Sequence, residues 1–153
     1  MGRRLHAWLS LSRADRRSLL ALAIALPLVA GTLRIAGLCR TQTWLQRLAG
    51  SGPMHDAGTI ELRAAQRLAQ LAAIAGRRGA LPVTCLPQSL LVFALLRRRG
   101  LSPELKLGVR KIRAAVDAHA WVELQGVALG QKDLMHVPFV PRAGLNPARE
   151  SRA

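Results

Sequence analysis

One cysteine and one histidine in the second half of the chain have the residue types and neighbours that covalent catalysis needs. Cys85 follows an extended Pro-Val-Thr segment and precedes Leu86 and Pro87, and proline is favoured in the first turn of a helix. Cys85 is therefore predicted at a helix N-terminus, where unpaired N–H groups and the helix dipole stabilise a thiolate and can bind an oxyanion. His119 lies in a predicted strand, and an imidazole that takes the thiol proton would let the thiolate attack a carbonyl carbon.

Each of these residues also has an ordinary structural interpretation. A single cysteine is often a small core residue, and a histidine in a strand is often held by hydrogen bonds without any chemical role. Cys39 follows the first apolar segment and has no neighbouring base, so we expect it to pack in the core. The remaining histidines, His6, His55 and His136, lack neighbours that suggest catalysis.

The expected strand pairing gives two candidates for the residue that orients the imidazole. A three-residue turn ending at Gly126 would place Gln131 opposite His119, with Asp133 diagonally across on the same face. Gln131 Oε1 would accept an imidazole N–H, whereas Asp133 would add a negative charge that stabilises the imidazolium. A two-residue turn would instead pair His119 with Lys132 and move both candidates to the other face. We predict the three-residue turn, because Gln-Gly is a poor pair for a type I′ turn.

The elements that must position these residues begin with a long helix. Ser12 followed by Asp15 is an N-cap pattern, and it predicts a helix over residues 13–38. We expect this helix to kink at Pro27 and to end near Gly37.

Two amphipathic helices follow. Residues 40–49 place Trp44, Leu45 and Leu48 on one face, and residues 59–75 have the clearest helical spacing of apolar side chains. The apolar positions of the longer helix are Ile60, Ala64, Leu68, Leu71 and Ala75.

The second half of the chain combines one helix with short strands. Residues 90–99 form an apolar stretch with a basic end, closed by Gly100, which suits a helix C-terminus. Residues 103–110 and 117–124 alternate apolar and polar side chains, and residues 127–131 return after a turn. Helices followed by a small antiparallel sheet predict an α+β fold.

The apolar segment 18–33 raises the question of a membrane. It has 16 residues without a charge, whereas a spanning helix needs about 20. Extension to residue 38 would bring Arg34 into the span, at about 2.5–3.5 kcal/mol if the charge were central. We therefore favour a buried or partner-docked helix over a membrane helix or a cleaved signal. The predicted location is the cytoplasm, and membrane association of residues 18–38 is left open.

Composition narrows the class of protein. The chain has 153 residues and a net charge of +15, and half of its residues are apolar, which excludes a wholly disordered chain. Two cysteines are too few for a disulfide scaffold or for a zinc site made of several cysteines. The basic excess attracts acidic peptides, nucleic acid or anionic membranes alike.

Ordered blocks of sequence around Cys85 and His119 resemble the transglutaminase-like leader peptidase of lasso-peptide biosynthesis, the microcin-processing B protein in its stand-alone form. The strong similarity covers about residues 59–131, and the N-terminal part is similar in character only. The blocks that carry it are Leu81-Pro82, Thr84–Leu90 (TCLPQSL), residues 95–100 (LLRRRG), residues 106–110 (KLGVR), and residues 119–123 (HAWVE) with Gly126.

The resemblance implies a fold and a division of the chain. The fold is a papain/transglutaminase-like core, in which a cysteine at a helix N-terminus packs on a small antiparallel sheet, preceded by N-terminal helices. The predicted regions are a helical, partly apolar region over residues 1–55, the peptidase core over residues 56–140, and a loose tail over residues 141–153.

The resemblance also implies an activity. It is that of a cysteine protease that removes the leader from a ribosomally made precursor, with a catalytic Cys, His and Asp. Cys85 and His119 match position for position, but the expected Asp falls on Gln131, so Asp133 and Gln131 both stay candidates. Trp121, beside His119, is the candidate for substrate binding. No metal and no directly bound cofactor are expected.

The implied partners are the precursor peptide, a separate leader-recognition protein and an ATP-dependent macrocyclase, which is where ATP would be used. We expect the recognition protein to be separate, because this chain is short and its N-terminal part is helical. A membrane surface is a further candidate partner.

Two other functions stay open. One is a basic helical adaptor that binds a membrane surface, nucleic acid or an acidic protein, for which the charge is the argument. The other is a Cys/His acyltransferase or amidase of the same fold, since a fold does not fix the acyl acceptor.

Overall fold

The computed structural model describes residues 11–50, 52–79, 83–112, 115–130 and 137–138. Within this part of the chain, helices precede a four-stranded antiparallel sheet, which confirms the predicted α+β class. The helices are α1 (Arg13–Ala49), α2 (Thr59–Arg78) and α3 (Cys85–Arg98), and the strands are β1 (Pro103–Ile112), β2 (Ala115–Leu124), β3 (Val127–Ala128) and β4 (Val137–Pro138).

The first helix begins where the sequence predicts it. The Ser12 side chain accepts a hydrogen bond from the Asp15 backbone N–H at 3.0 Å, which satisfies one of the unpaired donors of the first turn. The backbone keeps helical torsion angles at Pro27, where a kink is predicted, and the helix is interrupted at Gly37, where its end is predicted. Gly37 has a φ of 75°, in the left-handed region that glycine enters without a steric penalty.

One face of α1 packs against α2 and α3. It contributes Leu22, Leu26 and Val29 to a core that the three helices share with the sheet. The first turn of α1 is also tied to α2 by an ion pair, in which Arg67 Nη2 lies 2.9 Å from Asp15 Oδ2. The expected burial of this apolar segment therefore holds for one face of the helix, and the opposite face is exposed.

The last segment of α1 turns a different side to the core than predicted. Leu45 is buried beside Thr41, whereas Trp44 and Leu48 are exposed. Cys39 is exposed as well, so the expectation that it packs in the core is wrong. The break in the helix re-orients this segment, and the apolar spacing alone does not show which side then meets the core.

Helix α2 follows its predicted bounds and extends them to Arg78. Its buried face is rotated from the predicted one, because Ala64 and Ile60 are exposed, Ile60 by 85%. The helix packs against both α1 and α3, so its buried side is set by two neighbours rather than one. The residues that it buries are Ala65, Leu68, Leu71, Ala72, Ala75 and Gly76.

The sheet has the strand order β3-β2-β1-β4. Strands β1 and β2 pair along their whole length, from Pro103 opposite Leu124 to Ile112 opposite Ala115. Val122 and Leu124 enter the core that the sheet shares with α3. The two predicted long strands are confirmed, and each is longer than the alternation indicated.

The turn between β2 and β3 differs from the prediction. Leu124 pairs with Val127, so the turn has two residues, and the predicted three-residue turn is wrong. Gln125 and Gly126 have φ angles of 52° and 76°, as a type I′ turn requires. A tertiary contact favours this conformation of the glutamine. With its amide oriented to match donors to acceptors, Gln125 donates to the Ala57 carbonyl at 3.1 Å and accepts from the Ala57 N–H at 3.2 Å.

The predicted strand over residues 127–131 is short in the structure, since β3 ends at Ala128. The Leu129 N–H still donates to the Val122 carbonyl at 2.8 Å, and Gly130 then turns the chain with a φ of 71°. The predicted residues that lie outside the described part of the chain are His6, Gln131, Lys132, Asp133, His136 and the tail over residues 141–153.

The ion pair between Asp15 and Arg67 gives a pH-dependent prediction. The Arg67 hydrogen bond holds the pKa of Asp15 below its ordinary value of 3.8. A carboxyl group with a lowered folded pKa stabilises the fold fully above its unfolded pKa, and this contribution disappears as the pH falls through the folded pKa. We expect Asp15→Asn to lower the free energy of unfolding at pH 7 and to converge with wild type in acid.

Urea unfolding at a series of pH values measures this difference. Asp56→Asn is the matched control, because Asp56 is an exposed carboxylate at a loop position, and it should leave stability near that of wild type throughout. A loss in Asp15→Asn that is equally large at every pH would contradict the prediction.

Candidate active site

Cys85 occupies the predicted place at the start of a helix. Thr84 is the N-cap of α3, Cys85 is its first residue, and Pro87 lies within the first turn. Cys85 is half-buried and is not in a disulfide. The thiol is therefore next to the unpaired N–H groups of the helix N-terminus, which suits both a thiolate and an oxyanion.

His119 lies in the middle of β2, with Gly108 of β1 opposite it, and is half-buried. Cys85 and His119 line the same small cavity, which has a volume of about 60 Å³. Its other walls are one face of α3, alanine side chains of α2, and the strand residues that follow His119. The structure thus brings to one cavity the two residues that the sequence nominates for catalysis.

A hydrogen bond of Ser89 links α3, which carries Cys85, to β2, which carries His119. Its side chain is buried, and Oγ donates a hydrogen bond to the Ala120 carbonyl at 2.9 Å. Ala120 directly follows His119, and Ser89 lies one helical turn after Cys85. This bond therefore holds the two catalytic candidates in one arrangement.

Gln88 fastens the segment that leads into α3. Its Nε2 donates to the Val83 carbonyl at 2.6 Å, while the Val83 N–H donates to the Gly76 carbonyl of α2 at 2.9 Å. Gly76 leaves the space that the Gln88 side chain fills, since a methyl group there would overlap the Gln88 amide. The segment before Cys85 is therefore bonded to α3 through the Val83 carbonyl and to α2 through the Val83 N–H.

The His119 ring is supported by aromatic and charged neighbours along β2. The rings of His119 and Trp121 are stacked, with centroids 6.1 Å apart and planes 17° apart. Trp121 Nε1 donates to Glu123 Oε1 at 2.9 Å, and Lys106 Nζ lies 3.8 Å from Glu123 Oε2. A hydrogen bond to Glu104 Oε2 raises the pKa of Lys106, which lies beside both carboxylates as a cation. Trp121 is only 2% exposed, and its role in substrate binding stays a prediction.

The third catalytic role falls outside the described residues. The predicted pairing of His119 with Gln131 depended on the three-residue turn, and the observed two-residue turn removes that argument. Gly130, directly before Gln131, lines the cavity, so the chain enters the undescribed segment at the site. Gln131 and Asp133 both stay predictions.

A larger groove lies beside the start of α3. It has a volume of about 320 Å³, and its walls come from the segment around Cys85 and from α1. Thr84 and Leu86, the neighbours of Cys85, both line it, and Arg34 of α1 contributes a cation among mostly apolar side chains.

His55 and Glu61 form a pair at the start of α2, away from the cavity. His55 Nε2 lies 3.0 Å from Glu61 Oε1, and Glu61 Oε2 accepts from the Gly58 N–H at the start of α2. The His55 hydrogen bond lowers the pKa of Glu61. Across the described ranges, no cluster of three or more His, Cys, Asp or Glu side chains has an arrangement that could hold a metal ion.

A cysteine at a helix N-terminus that shares a cavity with a strand histidine defines the architecture of cysteine-dependent hydrolases and acyltransferases. A family profile described as the transglutaminase-like superfamily matches residues 20–141. The chain therefore belongs to the transglutaminase-like superfamily, and the predicted transglutaminase-like fold is confirmed. Comparisons with curated proteins and with solved structures gave no match. The family match begins within α1, while the predicted region boundaries at residues 55 and 140 stay predictions.

The roles of Gln88 and Ser89 were not predicted, since both residues entered the sequence comparison only as letters of a motif. They lie three and four residues after Cys85, and this spacing puts them on the same side of a helix as the cysteine. That periodicity was the available signal. No pattern in the sequence signals the need for glycine at position 76, because this need comes from a contact between two helices.

The contact between Gly76 and Gln88 gives a double-mutant prediction. Gly76→Ala should destabilise the protein by about 1 kcal/mol or more, because the new methyl group displaces Gln88 from the Val83 carbonyl. In a Gln88→Ala background the same change should be neutral or should stabilise by up to about 1 kcal/mol, since alanine favours helix more than glycine. Chemical unfolding of the four proteins measures the coupling, and an equal effect of Gly76→Ala in both backgrounds would exclude the proposed contact.

Proposed function

We propose that this chain is a cysteine protease that cleaves the leader peptide from a ribosomally synthesised lasso-peptide precursor. The observation that carries the proposal is the shared cavity of Cys85 and His119 at the start of α3. Membership of the transglutaminase-like superfamily supports cysteine-dependent acyl chemistry. The sequence blocks around both residues support the leader peptide as substrate.

The proposed reaction passes through a thioester. His119 takes the proton of the Cys85 thiol, and Sγ attacks the carbonyl carbon of the scissile peptide bond. The negative charge that develops on the carbonyl oxygen lies near the N–H groups of the first turn of α3. As the C–N bond breaks, His119 returns the proton to the leaving amine. A water molecule, deprotonated by His119, then attacks the thioester carbon. The C–S bond breaks, His119 returns the proton to the Cys85 sulfur, and the leader leaves as a carboxylic acid that ionises to the carboxylate.

The surroundings of His119 support its role as the base. The stacked Trp121 ring limits rotation of the imidazole, and the hydrogen bond to Glu123 holds the indole in turn. For the third role we propose Asp133 over Gln131. The positional arguments for both residues depended on the three-residue turn and no longer hold. The choice therefore rests on charge, because a carboxylate stabilises the imidazolium that forms when the thiol loses its proton.

The groove beside Thr84 and Leu86 supports a peptide as substrate. Cys85 lines the small cavity, and its chain neighbours Thr84 and Leu86 line the groove. A chain that crosses the cysteine could place one side chain in this mostly apolar groove, whose size is at the lower end of those for ligand pockets, roughly 300–1,000 Å³. The proposed partners are accordingly the precursor peptide, a separate leader-recognition protein and an ATP-dependent macrocyclase.

An acyltransferase or amidase is the second candidate. The same thioester forms in both cases, and a transferase passes the acyl group to an amine instead of water. Membership of the transglutaminase-like superfamily fits this alternative as well as it fits a protease. Detection of the released leader as a free carboxylate, rather than joined to an added amine, separates the two.

The central prediction concerns the reacting pair. Cys85→Ala and Cys85→Ser should abolish leader cleavage without a loss of fold, because the covalent route requires the thiol. His119→Ala should be about as damaging, and the double mutant hardly worse, since residues that act as one unit are not additive. The assay is mass spectrometry of the cleavage products of a precursor peptide. The precursor is the one encoded by a reading frame next to that of this protein, and its recognition protein is added to the reaction.

Cys39→Ala is the matched control for the central prediction. Cys39 is exposed and lies outside the cavity, so its loss should leave cleavage almost unchanged. Cleavage that survives in Cys85→Ala, or that is lost in Cys39→Ala, would overturn the assignment of the nucleophile.

Asp133→Asn tests the third role. It should lower the turnover rate by at least about a hundredfold, because the amide has the size of the carboxylate but not its charge. Gln131→Ala should change turnover little, and it serves as the control from the same segment. If the two effects are reversed, Gln131 orients the ring, and Gln131→Asp should then raise activity.

A further inference from the structure

The outward face of α1 carries a continuous apolar stripe. Its members are Leu20, Ile24, Leu28 and Ile35, which lie on one side of the helix because they are spaced by four, four and seven residues. Ile24, Leu28 and Ile35 are 69%, 67% and 90% exposed. The stripe is about 22 Å long at the rise of an α-helix. A row of this length differs from the single exposed apolar side chains that are common on protein surfaces. We call these four residues the outer stripe.

Arginines bound the outer stripe at both ends. Arg13 and Arg17 continue the same side of the helix toward its N-terminus, and Arg34 lies at the other end. All three are exposed. The single acidic residue of the first 54 residues is Asp15, and it points to α2, where it pairs with Arg67. The charges that surround the stripe are therefore positive.

The last segment of α1 repeats this combination. Trp44 and Leu48 are one helical turn apart and exposed, and Arg40 and Arg47 are exposed beside them. Tryptophan is enriched at membrane interfaces, where its ring meets both apolar chains and water.

We propose that the outer stripe lies on an anionic membrane surface, with its apolar side chains among the acyl chains and its arginines on lipid phosphates. An apolar ridge with arginines on its borders is the pattern of an interfacial helix. The proposal is independent of the catalytic function above.

The structure favours a helix lying on the membrane over one that spans it. By length and composition α1 could cross a bilayer. However, its inner face, with Leu22, Leu26 and Val29, is packed in the protein core. The ion pair of Asp15 with Arg67 also fastens the helix to α2. A span would have to break these contacts, whereas surface binding uses only the face that is already exposed.

A second copy of the chain fits the outer stripe less well. Two stripes packed together would bring the terminal arginines of one copy close to those of the other, whether the helices ran parallel or antiparallel. Like charges at such a contact are unfavourable. An anionic lipid surface instead offers phosphates along the whole length of the stripe.

Co-sedimentation of the full chain with lipid vesicles tests the proposal. Wild type should bind phosphatidylcholine vesicles that contain about one third phosphatidylglycerol, and it should bind pure phosphatidylcholine much more weakly. Ile24→Gln with Leu28→Gln should weaken binding by about tenfold or more, because two inserted side chains are lost. Ile60→Gln is the matched control, since Ile60 is 85% exposed on α2 and lies off the stripe.

Circular dichroism verifies that the variants are folded, and Ile35→Gln is a second variant should the double change disturb α1. The proposal would be overturned if wild type failed to bind anionic vesicles, or if a folded stripe variant bound them as wild type does. A dimer in light scattering that the stripe variant dissociates would also overturn it, because the stripe would then be an interface between copies.

Discussion

The packing of the first turns of α3 on β2 decides whether Cys85 can react with help from His119. The two residues come from separate elements, so their meeting depends on the Ser89 hydrogen bond to the Ala120 carbonyl and on the buried apolar contacts of α3 with the sheet. A hydroxyl and a carbonyl buried together stabilise the fold only as a pair, because either one left alone would lose its bond to water. The same bond therefore fixes the interface and the site.

Local signals predicted most of the fold. The Ser12 cap, the glycine at position 37 and the alternation along β1 and β2 are each encoded within a few residues, and the structure follows them. The predictions that are wrong concern contacts between distant segments. Gln125 enters a type I′ turn that its residue type disfavours, and its amide bonds to Ala57, far away in the sequence. Likewise, which side of α2 or of the last segment of α1 is buried depends on neighbours that apolar spacing does not reveal.

The sequence predicted the two catalytic candidates of the site but not the residues that hold them in place. Residue type, helix start and strand position made Cys85 and His119 candidates, and the sequence resemblance made them the preferred pair. Gln88 and Gly76 matter through the shape of the packing between α2 and α3, which single-residue properties do not contain. The third role was predicted from strand register, and the two-residue turn removes the register argument for Gln131 and for Asp133 alike.

The most direct measurement compares how fast iodoacetamide alkylates the two cysteines of one molecule near neutral pH, with mass spectrometry of the two peptides. Cys39 is exposed and Cys85 is half-buried, so accessibility alone would make Cys39 the faster. We predict that Cys85 reacts faster in wild type, and that His119→Ala slows Cys85 by about tenfold or more while Cys39 is unchanged. A Cys85 that reacts more slowly than Cys39 in wild type, or at the same rate with and without His119, would contradict the catalytic pair.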